Sequence, residues 1–164
     1  MPLTKQQIIE HLKLEQHVEG GYFRRTFAAE QRAPIETEHG PRLTLSSIFY
    51  LLTDDARIGH WHLNQSDIIH YYHAGNPVDY YLINEAGELD CVTLGHDLLA
   101  GHQLQLVVTG GTWKASHLGD GEYGLISEAV APGFDFADMT LGEKQALSEQ
   151  YPRHKVLIDQ FTRR

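Results

Sequence analysis

Histidine is over-represented in this chain and clustered. There are eleven in 164 residues, and His60, His62, His70 and His73 fall within fourteen consecutive positions. Imidazole is the common neutral metal ligand and the side chain best placed for proton transfer near pH 7. Residues i and i+2 of a strand share a face, so His60 and His62 are expected to turn both rings into one interior. One outcome is a divalent-metal site built from His60, His62 and either Asp67 or His70, with a coordination position left open. The other is a metal-free, hydrogen-bonded pair in which His62 acts as a base. Asp67 then fixes a histidine tautomer, or it only shapes the turn after Asn64-Gln65-Ser66. If Ile68 and Tyr72 face inward, His70 does too, as third ligand or base, while His73 beside Ala74-Gly75 reads as a loop residue.

Further residues suit a polar or anionic ligand. Arg24 and Arg25 are neighbours on one strand and must face opposite ways, so only one reaches a pocket. There a guanidinium would grip a carboxylate or phosphate at two points; its alternative is a surface salt bridge. Tyr22, Tyr50, Tyr72 and Tyr80 either line the pocket or pack the core. Trp113 offers a wall on which a ring would stack, or packs likewise.

These residues need strands to hold them. Tyr22–Phe27, Leu43–Leu52, Ile58–His62, Ile68–His73, Val78–Ile83, Leu89–Leu94, Leu104–Thr109, Thr112–His117 and Tyr123–Val130 are short runs rich in aromatic and β-branched residues, mostly separated by Gly, Asn, Asp or Pro. Asn84–Gly87 reads as a hairpin loop. No helices intervene, which predicts a sandwich or barrel rather than a parallel sheet. The ends differ. Thr4 and Gln7 have capping-box spacing ahead of Ile8, Ile9 and Leu12, predicting a helix over about 4–14 that is broken before Gly20-Gly21. Thr140 and Glu143 repeat that spacing ahead of a helix ending before Pro152, and His154–Phe161 reads as a last short helix. One domain over 1–164 is expected, with its barrel at about 22–130.

A formal net charge of −9 argues against nucleic acid, whose phosphates need Lys and Arg. The first residues lack a basic segment followed by an apolar run, and no stretch is long and apolar enough to span a membrane. A cytoplasmic protein is expected. The single Cys91 excludes an internal disulfide and reads as a buried structural thiol.

The run from Gly59 to Asp67, closed by Gly75, resembles the first motif of the cupins, and the chain is similar to a small cupin family catalogued as a domain of unknown function. Five blocks carry the likeness: His17–Arg24 (HVEGGYFR), Ser46–Leu52, His62–Gly75, Thr93-Leu94-Gly95 and Ala131–Phe136 (APGFDF). The resemblance implies an all-β double-stranded β-helix, or jelly-roll barrel, and points to Arg24 as the pocket arginine. The chain departs from the pattern in three places. Asp67-Ile68 replaces Asp-Glu, His70 replaces a tryptophan, and Lys114 occupies the histidine slot of the second motif. An ammonium repels a metal and has no lone pair to offer it.

The expected function is therefore a metal-independent isomerase, epimerase or lyase acting on a sugar, nucleotide-sugar or small acid. His62, Asp67, Tyr72 and His70 would carry the chemistry; Arg24, Tyr50, Trp113 and Lys114 would bind the ligand. The alternatives are a non-catalytic ligand-binding or sensing module, for which Lys114 suits an anion, and a metal enzyme using His60, His62 and Asp67. The cofactor is thus either none or a divalent metal. A homodimer is expected, since pairing hides sheet edges.

Overall fold

The structure is a computed structural model that describes residues 3–163. Helix α1 (Lys5–Leu12) is followed by β1 (Glu15–Gln16), β2 (Tyr22–Ala28), the hairpin of β3 (Ile35–Thr37) and β4 (Gly40–Arg42), and β5 (Ser46–Thr53). Next come β6 (Ile58–Asn64), β7 (Asp67–Gly75), β8 (Val78–Ile83), β9 (Leu89–Leu94), β10 (Gln105–Val108), β11 (Trp113–Leu118) and β12 (Tyr123–Ala131). The chain closes with β13 (Met139–Leu141), α2 (Lys144–Gln150) and α3 (Lys155–Phe161). The strands form two antiparallel sheets, ordered β1-β2-β5-β12-β7-β10 and β13-β6-β11-β8-β9. Chain neighbours β5 and β6, and likewise β6 and β7, lie in different sheets, so the chain crosses repeatedly between layers, as in a jelly roll.

Alternation along the strands makes three apolar layers. Between the sheets, Tyr50, Leu52, Val78, Tyr80, Leu82, Leu106, Val108, Leu118 and Ile126 form the core of one half of the barrel. Outside the first sheet, α1 lays Ile8 on Leu51 and Tyr123. Outside the second, Leu147 of α2 and Ile158 and Phe161 of α3 cover Trp61, Ile83 and Ala115. The other half of the barrel holds a buried polar cluster of His62, His70, Lys114 and Glu128 beside apolar walls.

Three details differ from expectation, at Thr140, Cys91 and His73. The Thr4–Gln7 capping box forms as expected, and the helix stops at Lys13 in the left-handed region. Thr140 instead belongs to β13, paired with Leu63, and α2 starts four residues later with no side-chain cap. The capping pattern lost there to strand pairing along the free edge of β6. Cys91 is exposed on the edge strand β9 rather than buried, because the inward positions of β8 and β9 place its side chain on the uncovered side. His73 lies within β7, not in a loop.

Candidate functional site

Gly20 and Gly21 set the first acidic group of the site. Both have positive φ, at 103° and 73°, a region that favours glycine. A Cβ on Gly20 would lie 2.1 Å from the Ile58 carbonyl oxygen. The turn can therefore lie flat across β5 and β6, and Tyr50 Oη donates to the Gly20 carbonyl at 2.7 Å. The Glu19 carbonyl accepts from both the backbone N–H and Nδ1 of His60, at 2.7 and 2.9 Å. Its carboxylate is thereby turned into the barrel and buried.

Strand β6 bulges at this place. Lys114 of β11 pairs with His62, but Ser116 pairs with Gly59, so His60 and Trp61 together oppose Ala115. An extra residue on one strand reverses the alternation beyond it. His62 faces inward, Trp61 faces α3, and the His60 ring is held at the barrel wall by the Glu19 carbonyl. His62 Nδ1 lies 2.8 Å from the His60 carbonyl oxygen and Nε2 lies 2.8 Å from Glu19 Oε2. A carbonyl only accepts, so Nδ1 carries a proton; Nε2 and Glu19 share another. Burial opposes the Glu19 charge, but the His62 imidazole holds its carboxyl below the usual range.

A second acidic group comes from β12. Inward positions Ile126, Glu128 and Val130 alternate with outward ones. His70 Nδ1 on β7 is 3.2 Å from Glu128 Oε1, off the line of a good hydrogen bond, and Nε2 is 2.9 Å from Lys114 Nζ. An ammonium only donates, so the lysine places the His70 proton on Nδ1, toward Glu128. Burial, then the Lys114 charge, push the His70 ring below the usual imidazole range. Burial opposes ionisation of Glu128, but Lys114 and then His70 hold its carboxyl far below the usual range. Tyr80, whose ring sits 5.0 Å from that of His70, has a buried hydroxyl with no partner among the described residues.

Both carboxylates line one cavity of about 360 Å³, with His17, His62 and Asn64 as further polar groups and Arg25 at the wall. Phe23, Ile48, Ile68, Val130, Phe134 and Phe136 supply its apolar surface. Phe134 and Phe136 meet edge to face at 5.0 Å, and Phe136 is 62% exposed, which places an aromatic pair where the cavity meets solvent.

Of the expected site residues, His62, His70 and Lys114 converge in this interior. Arg24 does not: Phe23 and Arg25 share the inward face of β2, and the Arg24 guanidinium lies 5.9 Å over the Phe49 ring outside the sheet. Asp67 is exposed on the outward face of β7, accepting from the Gly110 N–H at 2.8 Å. Tyr72 packs with the apolar core at the opposite end, donating to the Gly75 carbonyl at 2.6 Å. Tyr50 lies in the core beneath the cavity, and Trp113 packs outward under the C-terminal helices. His62 is not a free base, since both its nitrogens are engaged.

The family model described as Cupin superfamily (DUF985) matches residues 6–142. The chain belongs to that cupin family. A curated relative, an uncharacterised protein of Saccharomyces cerevisiae, is 39% identical over 152 residues, spanning 85% of this chain and 75% of the relative. A hypothetical protein from Leishmania major has a solved structure with TM-score 0.92 at 28% identity, covering 99% of this chain and 100% of that one. A protein from Shewanella oneidensis gives 0.89 at 34% identity, with 99% of each chain covered. Oxalate decarboxylase from Bacillus subtilis, described with Mn(II) centres, shares the fold alone: TM-score 0.57, 13% identity, 90% of this chain and 37% of that one.

This cupin does not carry a donor set for such a metal. The bulge removes His60 from the interior and strand alternation removes Asp67. His62 spends both nitrogens on Glu19 and a carbonyl, and Lys114 occupies His70 Nε2. Among the described residues no three His, Cys, Asp or Glu side chains converge as metal ligands. The interior is instead a self-neutralising set: carboxylates at 19 and 128, with counter-charge on Lys114 and on the proton shared by His62.

Sequence reasoning missed Glu19, Glu128, His17 and Phe134. A signal existed for Glu128, the one charged residue among the inward positions of β12. His17, Glu19 and Phe134 entered only as members of the blocks His17–Arg24 and Ala131–Phe136 that carry the family likeness, with no role given to their side chains.

Proposed function

We propose that this cupin binds a small hydroxylated carbonyl compound in the cavity and moves a proton on it without a metal, as an isomerase or epimerase does. The observation carrying this reading is that Glu19 and Glu128 line one cavity, Glu19 beside the buried His62 and Glu128 beside the buried His70 and its lysine partner Lys114. A carboxylate oxygen takes the proton from the carbon next to the substrate carbonyl. The C–H electron pair becomes a C=C bond while the carbonyl oxygen takes the negative charge. Return to the opposite face of a proton that the second carboxyl has taken from solvent gives the epimer; return to the former carbonyl carbon, with the hydroxyl proton of the enediol passing to the other oxygen, gives the isomer. Nothing is oxidised overall. The apolar walls keep water from the intermediate, and a preorganised polar interior costs no rearrangement as charge develops.

One observation favours a second reading, a binder without catalysis. Both carboxyls are held below the usual range, which weakens them as bases. One experiment separates the two. The protein is incubated in deuterated water with aldoses, ketoses and hydroxy acids, and each is followed by proton NMR. Loss of one C–H signal beside a carbonyl supports the enzyme. A compound that raises the melting temperature yet keeps all its C–H signals supports the binder.

A further inference from the structure

We propose that His17 is a neutral hydrogen-bond donor to the carbonyl oxygen of the ligand, which makes the cavity a site for an enolisable carbonyl compound rather than for a simple alcohol or acid; this rests on the proton-transfer reading above. The His17 side chain is 7% exposed and lines the cavity. Its Nδ1 accepts the backbone N–H of Glu19 at 3.1 Å. A backbone amide only donates, so Nδ1 is bare and the ring proton sits on Nε2. That nitrogen has no partner among the described residues. The ring is clamped edge-on by Phe23 at 4.4 Å and Tyr50 at 6.1 Å between centroids, so Nε2–H is aimed by packing rather than by choice of rotamer.

The geometry also sets what this donor is for. Glu19 Oε2 is committed to His62, while Oε1 lies 3.5 Å from the bare His17 Nδ1, with no proton between them. Oε1 is thus the carboxylate oxygen left for the ligand, next to the ring that carries Nε2–H. A base and a donor side by side match a C–H and its adjacent C=O. The carboxylate takes the proton, the electron pair moves into the C=C bond, and charge collects on the oxygen that faces Nε2–H. A neutral imidazole suits this work because it stabilises the oxyanion without giving up its own proton.

Three measurements decide the assignment. In ¹⁵N-histidine-labelled wild-type protein, His17 should show the neutral Nε2–H tautomer at pH 7; an imidazolium or an Nδ1–H tautomer overturns the proposal. Glycolohydroxamate, a mimic of an enediolate, should bind wild-type protein about tenfold tighter than His17→Phe, the worth of roughly one charge-assisted hydrogen bond. Equal affinity, or no binding to wild type at millimolar concentration, overturns it. His17→Gln keeps an N–H donor and covers the case in which the phenylalanine variant fails to fold; it should bind between the two. For any compound that exchanges deuterium, His17→Phe should slow turnover by about 10²-fold with KM little changed, and an unchanged turnover overturns the proposal. If wild type exchanges nothing, the proton-transfer reading fails, and tautomer and hydroxamate binding alone judge His17.

Discussion

Lys114 is a buried cation whose neighbours depend on it. It donates to His70 Nε2 and lies near enough to Glu128 to hold that carboxyl ionised. Replacing Lys114 with Met leaves Glu128 buried without its counter-charge, a loss of about 3–5 kcal/mol for a broken buried pair. Denaturant unfolding should show this; a loss under about 1 kcal/mol would contradict the ammonium's role. The same cluster gives a pH dependence. The His70 ring is held below the ordinary imidazole value, so below about pH 6.5 the unfolded chain takes a proton there that the folded chain refuses. Glu128 is likewise held low, so below about pH 4.3 the unfolded chain alone becomes protonated there. In both ranges the unfolded state binds more protons. Stability therefore falls on acidification and rises toward neutral pH, by up to about 1.4 kcal/mol per pH unit for each such proton. His70→Asn should flatten the profile between about pH 5 and 6.5; an unaltered slope would be inconsistent with a buried neutral ring. His70 was legible because alternation groups it with Ile68 and Tyr72 on one face of its strand, and Lys114 because it fills the histidine slot of the second cupin motif. The pairing of His62 with Glu19 was not, since it joins residues far apart in the chain through a turn whose path depends on tertiary contact.

Strand β6 shows where alternation fails. A His-x-His repeat predicts two inward rings, yet the bulge over His60 and Trp61 sends only His62 inside. A single sequence carries no direct mark of such an insertion, because Gly59-His60-Trp61-His62 fits an unbroken strand equally well. The glycine at 59 was the available hint: its missing side chain makes room for Ser116 Oγ, which a Cβ would approach to 2.2 Å. The bulge makes the two histidines unequal. His60→Ala should leave ligand affinity within about twofold, as a substitution at the wall does. His62→Ala strips Glu19 of its partner and should destabilise the fold by about 3–5 kcal/mol while abolishing binding. Equal effects of the two on binding, measured by calorimetry, would restore the unbroken strand. Gly20→Ala probes the element that aims Glu19. The clash with the Ile58 carbonyl must displace the turn, so affinity should drop with the helices and sheets intact by circular dichroism; unchanged affinity would mean that the turn does not position the carboxylate.

At the scale of the molecule, two sheets and terminal helices were legible because the strands are short, evenly punctuated and without helices between them, and the family blocks confirm the same order of elements. The chemistry was less legible. Its carboxylates come from a loop and from a strand more than a hundred residues apart, and only closure of the barrel brings Glu19 and Glu128 to one cavity. Charge in the barrel interior is balanced by the buried Lys114 behind that cavity and by the His62 proton, with no need of a metal. Dialysis against a chelator should therefore leave the melting temperature unchanged; a fall of several degrees, reversed by Mn²⁺ or Ni²⁺, would show a metal holding the site together. The most direct measurement is deuterium exchange into the bound carbonyl compound by chelator-treated wild type, Glu19→Gln and Glu128→Gln. Full exchange by the metal-stripped wild type, with a loss of about 10²-fold or more in each variant, is the expected result. Exchange that vanishes with the metal, or that survives both substitutions, would contradict the account.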